Sequence, residues 1–298
     1  MPEAKSAFTL RKVFCGPNGI RAGWRILLFL AIFLSLAYVL DHLPGLAPWQ
    51  KWRNSKISPG SLLLREAMRV FVLLVALFIM TWIEKRSLAD YFLPPNQAFG
   101  KRFFQGLPYG FAMLSLLMGA IGALHGFSID GLAISGGRAL EYGALFGVAL
   151  TLVGLFEELS FRGYLQSTLG SGIGFWPAGI VLSTCFGASH LSNAGETWIG
   201  IVQVICFALF CVFTLKRTGN IWFAVGMHAS WDWGEDYFYS VPDSGNQFTG
   251  HLFNSSFHGP PWLTGGSVGP EGSVFVFAVL ILAAVGIHFL FPAKKNVV

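Results

Sequence analysis

Phe156-Glu157-Glu158-Leu159-Ser160-Phe161-Arg162 sets two carboxylates and a guanidinium inside an apolar run that extends over about Ala139–Leu169. Two shorter interruptions of the same kind follow, Phe186-Gly187-Ala188-Ser189-His190 and His228-Ala229-Ser230-Trp231-Asp232. Ionisable groups inside apolar helices are expensive unless they face a polar cavity and pair with one another. Two glutamates, an arginine, two histidines and an aspartate are together enough to build a hydrolytic site.

The rest of the chain agrees with a membrane setting. Of 298 residues, 54% are hydrophobic and only 12% charged, against about 25% charged in a soluble domain. The 29 phenylalanines suit a lipid-facing surface. The net charge of +5 comes from basic residues clustered between apolar runs, a topological signal rather than a nucleic-acid footprint. Nucleic acid is therefore not an expected partner. Cys15, Cys185, Cys206 and Cys211 form no Cys-x-x-Cys pair and read as small buried apolar residues. The first apolar run starts near Trp24, behind a basic arm, and reads as a span rather than a cleavable signal.

A spanning helix needs roughly 20 mostly apolar residues. Eight runs qualify as candidates: about 24–40, 68–83, 107–124, 139–169, 174–191, 198–215, 220–239 and 273–291. The expected fold is an all-α, polytopic transmembrane helical bundle of about eight spans. Residues 1–298 form one integral membrane domain with a core at about 139–240, and no internal repeat is visible. With the N-terminus in the cytoplasm, Lys5, Arg11, Lys12, Arg21, Arg25, Lys85, Arg86, Lys101, Arg102, Arg162, Lys216, Arg217, Lys294 and Lys295 fall inside. Lys51, Arg53, Lys56, Arg65, Arg69 and Arg138 fall outside, a ratio of 14 to 6 that predicts both termini in the cytoplasm. The segment Val241–Gly272 has no Lys or Arg, which suits an external loop.

On a helix, Glu157 and Glu158 point about 100° apart, so they cannot serve one site equally. Glu158 and Arg162, four apart, share a face and predict a buried ion pair. Glu157 is then free to act as a general base. His190 lies one turn after Phe186, whose ring can pack over the imidazole. His228 and Asp232 share a face, where the carboxylate can fix the imidazole tautomer or both can bind a metal. Each island alone has a plainer reading: snorkelling side chains at a helix end, a structural histidine, or a satisfied core pair. Their depths agree, however. Glu157 and His190 each lie roughly 20–25 Å along their helices from the turn near Ser171–Gly174. Asp232 sits at comparable depth beyond Arg217.

In order and context, Glu-Glu-x-x-x-Arg, Phe-x-x-x-His and His-x-x-x-Asp resemble the CPBP family, the CAAX prenyl protease and bacteriocin-processing (Abi) group of intramembrane proteases. The matching residues are Glu157, Glu158 and Arg162, then Phe186 and His190, then His228 and Asp232. Phe161-Arg162-Gly163-Tyr164-Leu165 and Gly226-Met227-His228-Ala229 resemble the family as well. The likeness covers about Leu140–Tyr239. It implies an endopeptidase acting on a peptide or membrane-protein substrate, with Glu157 activating water and His190 assisting. His228 and Asp232 would stabilise the tetrahedral intermediate or bind a metal. Glu158, Arg162 and Phe186 would support them. Asp232 stands where the eukaryotic type has asparagine. An ionised carboxylate cannot donate to an oxyanion, so Asp232 is expected to be protonated, to orient His228, or to help hold a cation.

The metal candidates are Glu157, His190, His228 and Asp232, and such ligands suit zinc. A bacterial plasma membrane is the expected setting. Two rival functions remain at this level. One is a proton- or metal-coupled transporter, which usually shows repeats absent here. The other is a binding or immunity role toward a peptide. Glu235 and Asp236 are expected at a solvated helix end, and His251 and His258 in a solvated loop.

Overall fold

The computed structural model describes residues 13–16, 19–42 and 58–292. Each of the eight apolar runs becomes a helix. α1 is Ala22–His42, α2 Pro59–Glu84, α3 Lys101–Ala123 and α4 Gly137–Ile173. α5 is Phe175–Ser189, α6 Trp198–Thr218, α7 Trp222–Trp233 and α8 Phe275–Leu290. Their ends follow local chemistry. Ser58 and Ser61 form a reciprocal capping box ahead of α2, with Pro59 in the first turn. Gly219, at φ +84°, closes α6 in the left-handed conformation.

Four helices, α1, α3, α4 and α6, are long and apolar enough to cross a membrane. α5 and α8 are apolar but only 15 and 16 residues long, short of the roughly 17 a span requires. α2 has 26 residues but carries Arg65, Glu66 and Arg69 within it. α7 differs most from the sequence reading. Its 12 residues rise only about 18 Å, and every residue from Trp222 to Asp232 is buried. A helix apolar on all sides is satisfied equally by lipid or by protein, and here the cover is protein. Of the eight helices that the apolar runs form, four have the length and composition of a span.

Close packing puts α7 at the centre. A Cβ on Gly106 or Gly110 of α3 would overlap backbone atoms of α7 at Phe223 and Met227. A Cβ on Gly226 would overlap the carbonyl of Phe103. On α4, a Cβ at Gly154 would come within 3.2 Å of the Val225 carbonyl. Small residues that let backbones approach are the usual glue of membrane helices.

One end of the bundle is basic. Glu84 at the end of α2 pairs with Arg25 of α1 and accepts a 2.6 Å hydrogen bond from Tyr164 Oη of α4. Arg217 at the end of α6 donates to the His288 carbonyl of α8 at 2.7 Å, and Arg102 lies over Phe291. Arg21, Lys85, Arg86, Lys101 and Lys216 lie at the same ends of their helices. The opposite end carries a two-stranded antiparallel ladder of Phe127–Leu132 and Phe253–Phe257, which with a shorter ladder of Cys15–Gly16 and Gly19–Ile20 departs from an all-α fold. Lys5, Arg11, Lys12, Lys51, Arg53, Lys56, Lys294 and Lys295, which entered the charge reading, lie outside the described residues.

Candidate active site

The two helices that supply most of the polar groups both widen just past them. α4 passes into a π-helical stretch, Leu159–Leu165, directly after Glu158. α7 does the same over Gly234–Tyr239, directly after Trp233. Such turns re-aim side chains relative to a regular helix and are frequent at functional sites. Nothing in hydropathy reveals them.

Glu158 and Arg162 form the ion pair that their spacing suggested, at 3.2 Å, with side chains 0% and 2% exposed. The guanidinium lies 4.5 Å from the centre of the Phe186 ring. Phe186 also meets Phe161 edge to face at 5.0 Å and tilts against the His190 ring at 4.8 Å. Glu158 has a second partner that spacing did not disclose. Its Oε1 lies 3.0 Å from His228 Nδ1. The other ring nitrogen, Nε2, is 3.6 Å from Glu157 Oε2 and 3.7 Å from Asp232 Oδ1. Phe207 meets the imidazole edge to face at 5.2 Å. One imidazole therefore stands among three carboxylates, and its nearest orienting partner is Glu158 rather than Asp232.

Glu157, His190, His228 and Asp232 all line one cavity of about 410 Å³. His190 Nδ1 is 2.9 Å from the Phe186 carbonyl. Donation there leaves Nε2 as the free nitrogen. Among the described residues no carboxylate comes within 4.0 Å of His190, so it shares the cavity with the Glu157–His228 pair without touching it.

The same cavity has walls that the motifs did not announce. Arg65, Glu66 and Arg69 face it from α2, and Gln203 from α6. Arg65 and Arg69, expected in an external loop, lie inside α2; the apolar run begins at Pro59, well before Met68. Arg69 donates to both Glu66 oxygens at 3.0 Å and lies 4.1 Å over Phe156. An Arg-Glu-x-x-Arg pattern at the head of an apolar run was the signal available for this wall.

The segment after α7 closes the cavity with Asp243, Ser244, Asn246, Phe248 and Glu271. Burial pushes the Asp243 carboxyl well above the usual carboxylate range, with Asp232 and Glu271 adding to the rise. Glu235 and Asp236, expected at a solvated end, are 0% and 3% exposed. The π turn carries them inward and this segment folds over them. Of the cysteines expected to be buried, Cys211 is buried, Cys15 and Cys206 are half-buried, and Cys185 is exposed.

The expected metal set is not drawn together as ligands. Glu157, His228 and Asp232 do not bring three ligand atoms within 4.8 Å of one another. Among the described residues the three that do are Asp232, Glu235 and Asp243. The residues therefore do not fit a zinc ion held by Glu157, His190, His228 and Asp232 in this arrangement.

Residues 139–234 match the family model of the type II CAAX prenyl endopeptidase Rce1-like proteins. The matched segment runs from the start of α4 through the end of α7. It contains Glu157, Glu158, Arg162, Phe186, His190, His228 and Asp232. A search of curated proteins found no match. The α4–α7 segment that forms most of the cavity is thus similar to the CAAX-protease type of membrane protein, as its motifs suggested.

Proposed function

We propose that the protein is an intramembrane endopeptidase in which Glu157 activates water. The observation that carries this reading is the pairing of Glu157 with His228 at 3.6 Å on the wall of a cavity that His190 also lines. Glu158 is committed to Arg162 and His228 Nδ1, so Glu157 is the carboxylate of the pair left for chemistry.

The groups divide the work as follows. Glu158 accepts the Nδ1 hydrogen of His228 and fixes the ring with Nε2 toward the cavity. Glu157 takes a proton from water as the water oxygen bonds to the scissile carbonyl carbon. A protonated His228 Nε2 donates to the oxygen as it becomes negative. The anionic Asp232, 3.7 Å away, favours that protonated form. The proton that Glu157 took from water passes through His190 Nε2 to the leaving nitrogen as the carbon–nitrogen bond breaks, which leaves both groups as they began. Asp232 supports His228 electrostatically, which accounts for a carboxylate where an amide would donate directly.

The substrate is a peptide or a membrane-protein segment. The protein resides in a bacterial plasma membrane with both termini in the cytoplasm, on the side of the basic end. Wild type and Glu157→Gln, each purified in detergent and given a peptide library read by mass spectrometry, test the assignment. Equal cleavage by both removes Glu157 as the base.

A further inference from the structure

The side of the cavity formed by the end of α7 and the segment after it is acidic beyond what hydrolysis uses. Asp232 on α7, Glu235 on the π turn and Asp243 each bring one carboxylate oxygen to within 4.8 Å of the others. Proximity of acids is not itself a site. A second observation concerns Glu235, which is 0% exposed and has no hydrogen-bond partner for either oxygen. A third concerns Gln203, which is 0% exposed, lines the cavity with Asp232 and Asp243, and has neither amide atom hydrogen-bonded. The segment Val241–Gly272, which supplies Asp243 and Glu271, contains no Lys or Arg. Buried carboxylates without partners are strongly destabilising; Asp232 has His228 at 3.7 Å, but Glu235 and Asp243 have no ion-pair partner among the described residues, so the arrangement suits an added cation.

We propose that Asp232, Glu235 and Asp243 form an oxygen-donor site for a divalent cation of calcium's size, which ties the 241–272 segment to the end of α7. The three oxygens lie within 4.8 Å of one another, and a cage of protein carboxylates suits calcium better than magnesium, which keeps several of its waters. Three carboxylates with no imidazole or thiolate select a hard ion over zinc. The ion would link the buried core helix α7 to the loop that roofs the cavity. Only Asp232 is shared with the hydrolytic groups, so the proposal does not depend on peptide cleavage.

The test uses the full chain in detergent micelles, stripped with EGTA, dialysed and titrated with calcium chloride by calorimetry, with thermal unfolding followed in parallel. One saturable calcium ion per chain and a higher unfolding temperature are expected. Glu235→Gln and Asp243→Asn should each weaken binding by at least about tenfold, since carboxylate count sets calcium affinity. In EGTA both variants should unfold above wild type, because each relieves a crowd of like charges. Glu157→Gln should bind calcium as wild type does, which separates this claim from the proteolytic one. No saturable binding by wild type, or unchanged affinity in both variants, overturns the proposal.

Discussion

Replacing Arg162 by methionine removes a charge at the centre of the site while keeping most of its volume. Arg162 is 2% exposed and its partner Glu158 is 0% exposed, 3.2 Å away. Without the guanidinium, Glu158 retains no full charge beside it other than a protonated His228, whose Nδ1 lies at 3.0 Å, and the weak hydrogen bond of the Cys211 thiol. Breaking a buried pair by removing one member destabilises by about 3–5 kcal/mol. The lost stack on Phe186, 4.5 Å from the guanidinium, adds about 0.5–2 kcal/mol. Arg162→Met should therefore lose at least about 3 kcal/mol in equilibrium unfolding of the micellar protein. Arg162→Met combined with Glu158→Gln should recover a large part of that loss, because no charge is then stranded. If the single variant unfolds within about 1 kcal/mol of wild type, the range of an exposed ion pair, the pair is not the electrostatic keystone described above. If the double variant is no better than the single one, packing rather than charge explains the loss.

Gly110→Ala should destabilise by about 1–3 kcal/mol or more, as overpacking does, since its Cβ would overlap the Met227 carbonyl; chemical unfolding measures this, and a neutral result would mean α3 and α7 are not in backbone contact. His190→Ala should lower kcat with a smaller change in KM, because its proton is used only as the bond breaks; a change confined to KM would make it a binding group. Single cysteines at positions 86 and 138 in a cysteine-free background should label from opposite sides of the membrane, and labelling from one side would contradict the proposed topology.

Much of this molecule is legible in sequence because membranes impose simple rules. Eight apolar runs became eight helices, and the four-residue spacing of Glu158 and Arg162 gave their pairing directly. What escaped was set by tertiary geometry. α7 reads as a span, yet it is a short core helix covered by protein, because apolar sequence does not say whether lipid or protein provides the cover. The π turns after Glu158 and Trp233 change the direction of Arg162, Glu235 and Asp236 without changing composition. The Glu158–His228 contact joins residues 70 apart in the chain, which no local spacing encodes. The 241–272 segment has the Gly, Pro and Asn content of a solvated loop, yet it roofs the cavity with Asp243 and Glu271.

The central claim is that Glu157 supplies the base while Glu158 supplies structure. Turnover and unfolding measured together on Glu157→Gln test it most directly. Glu157 is 20% exposed in the cavity, and its nearest charged partner, His228 Nε2, stands at 3.6 Å. The amide should therefore leave the unfolding free energy within about 1 kcal/mol of wild type, the scale of a partly exposed ion pair, and abolish peptide cleavage. Retained cleavage, or inactivity that comes only with a loss of folding, would contradict the account.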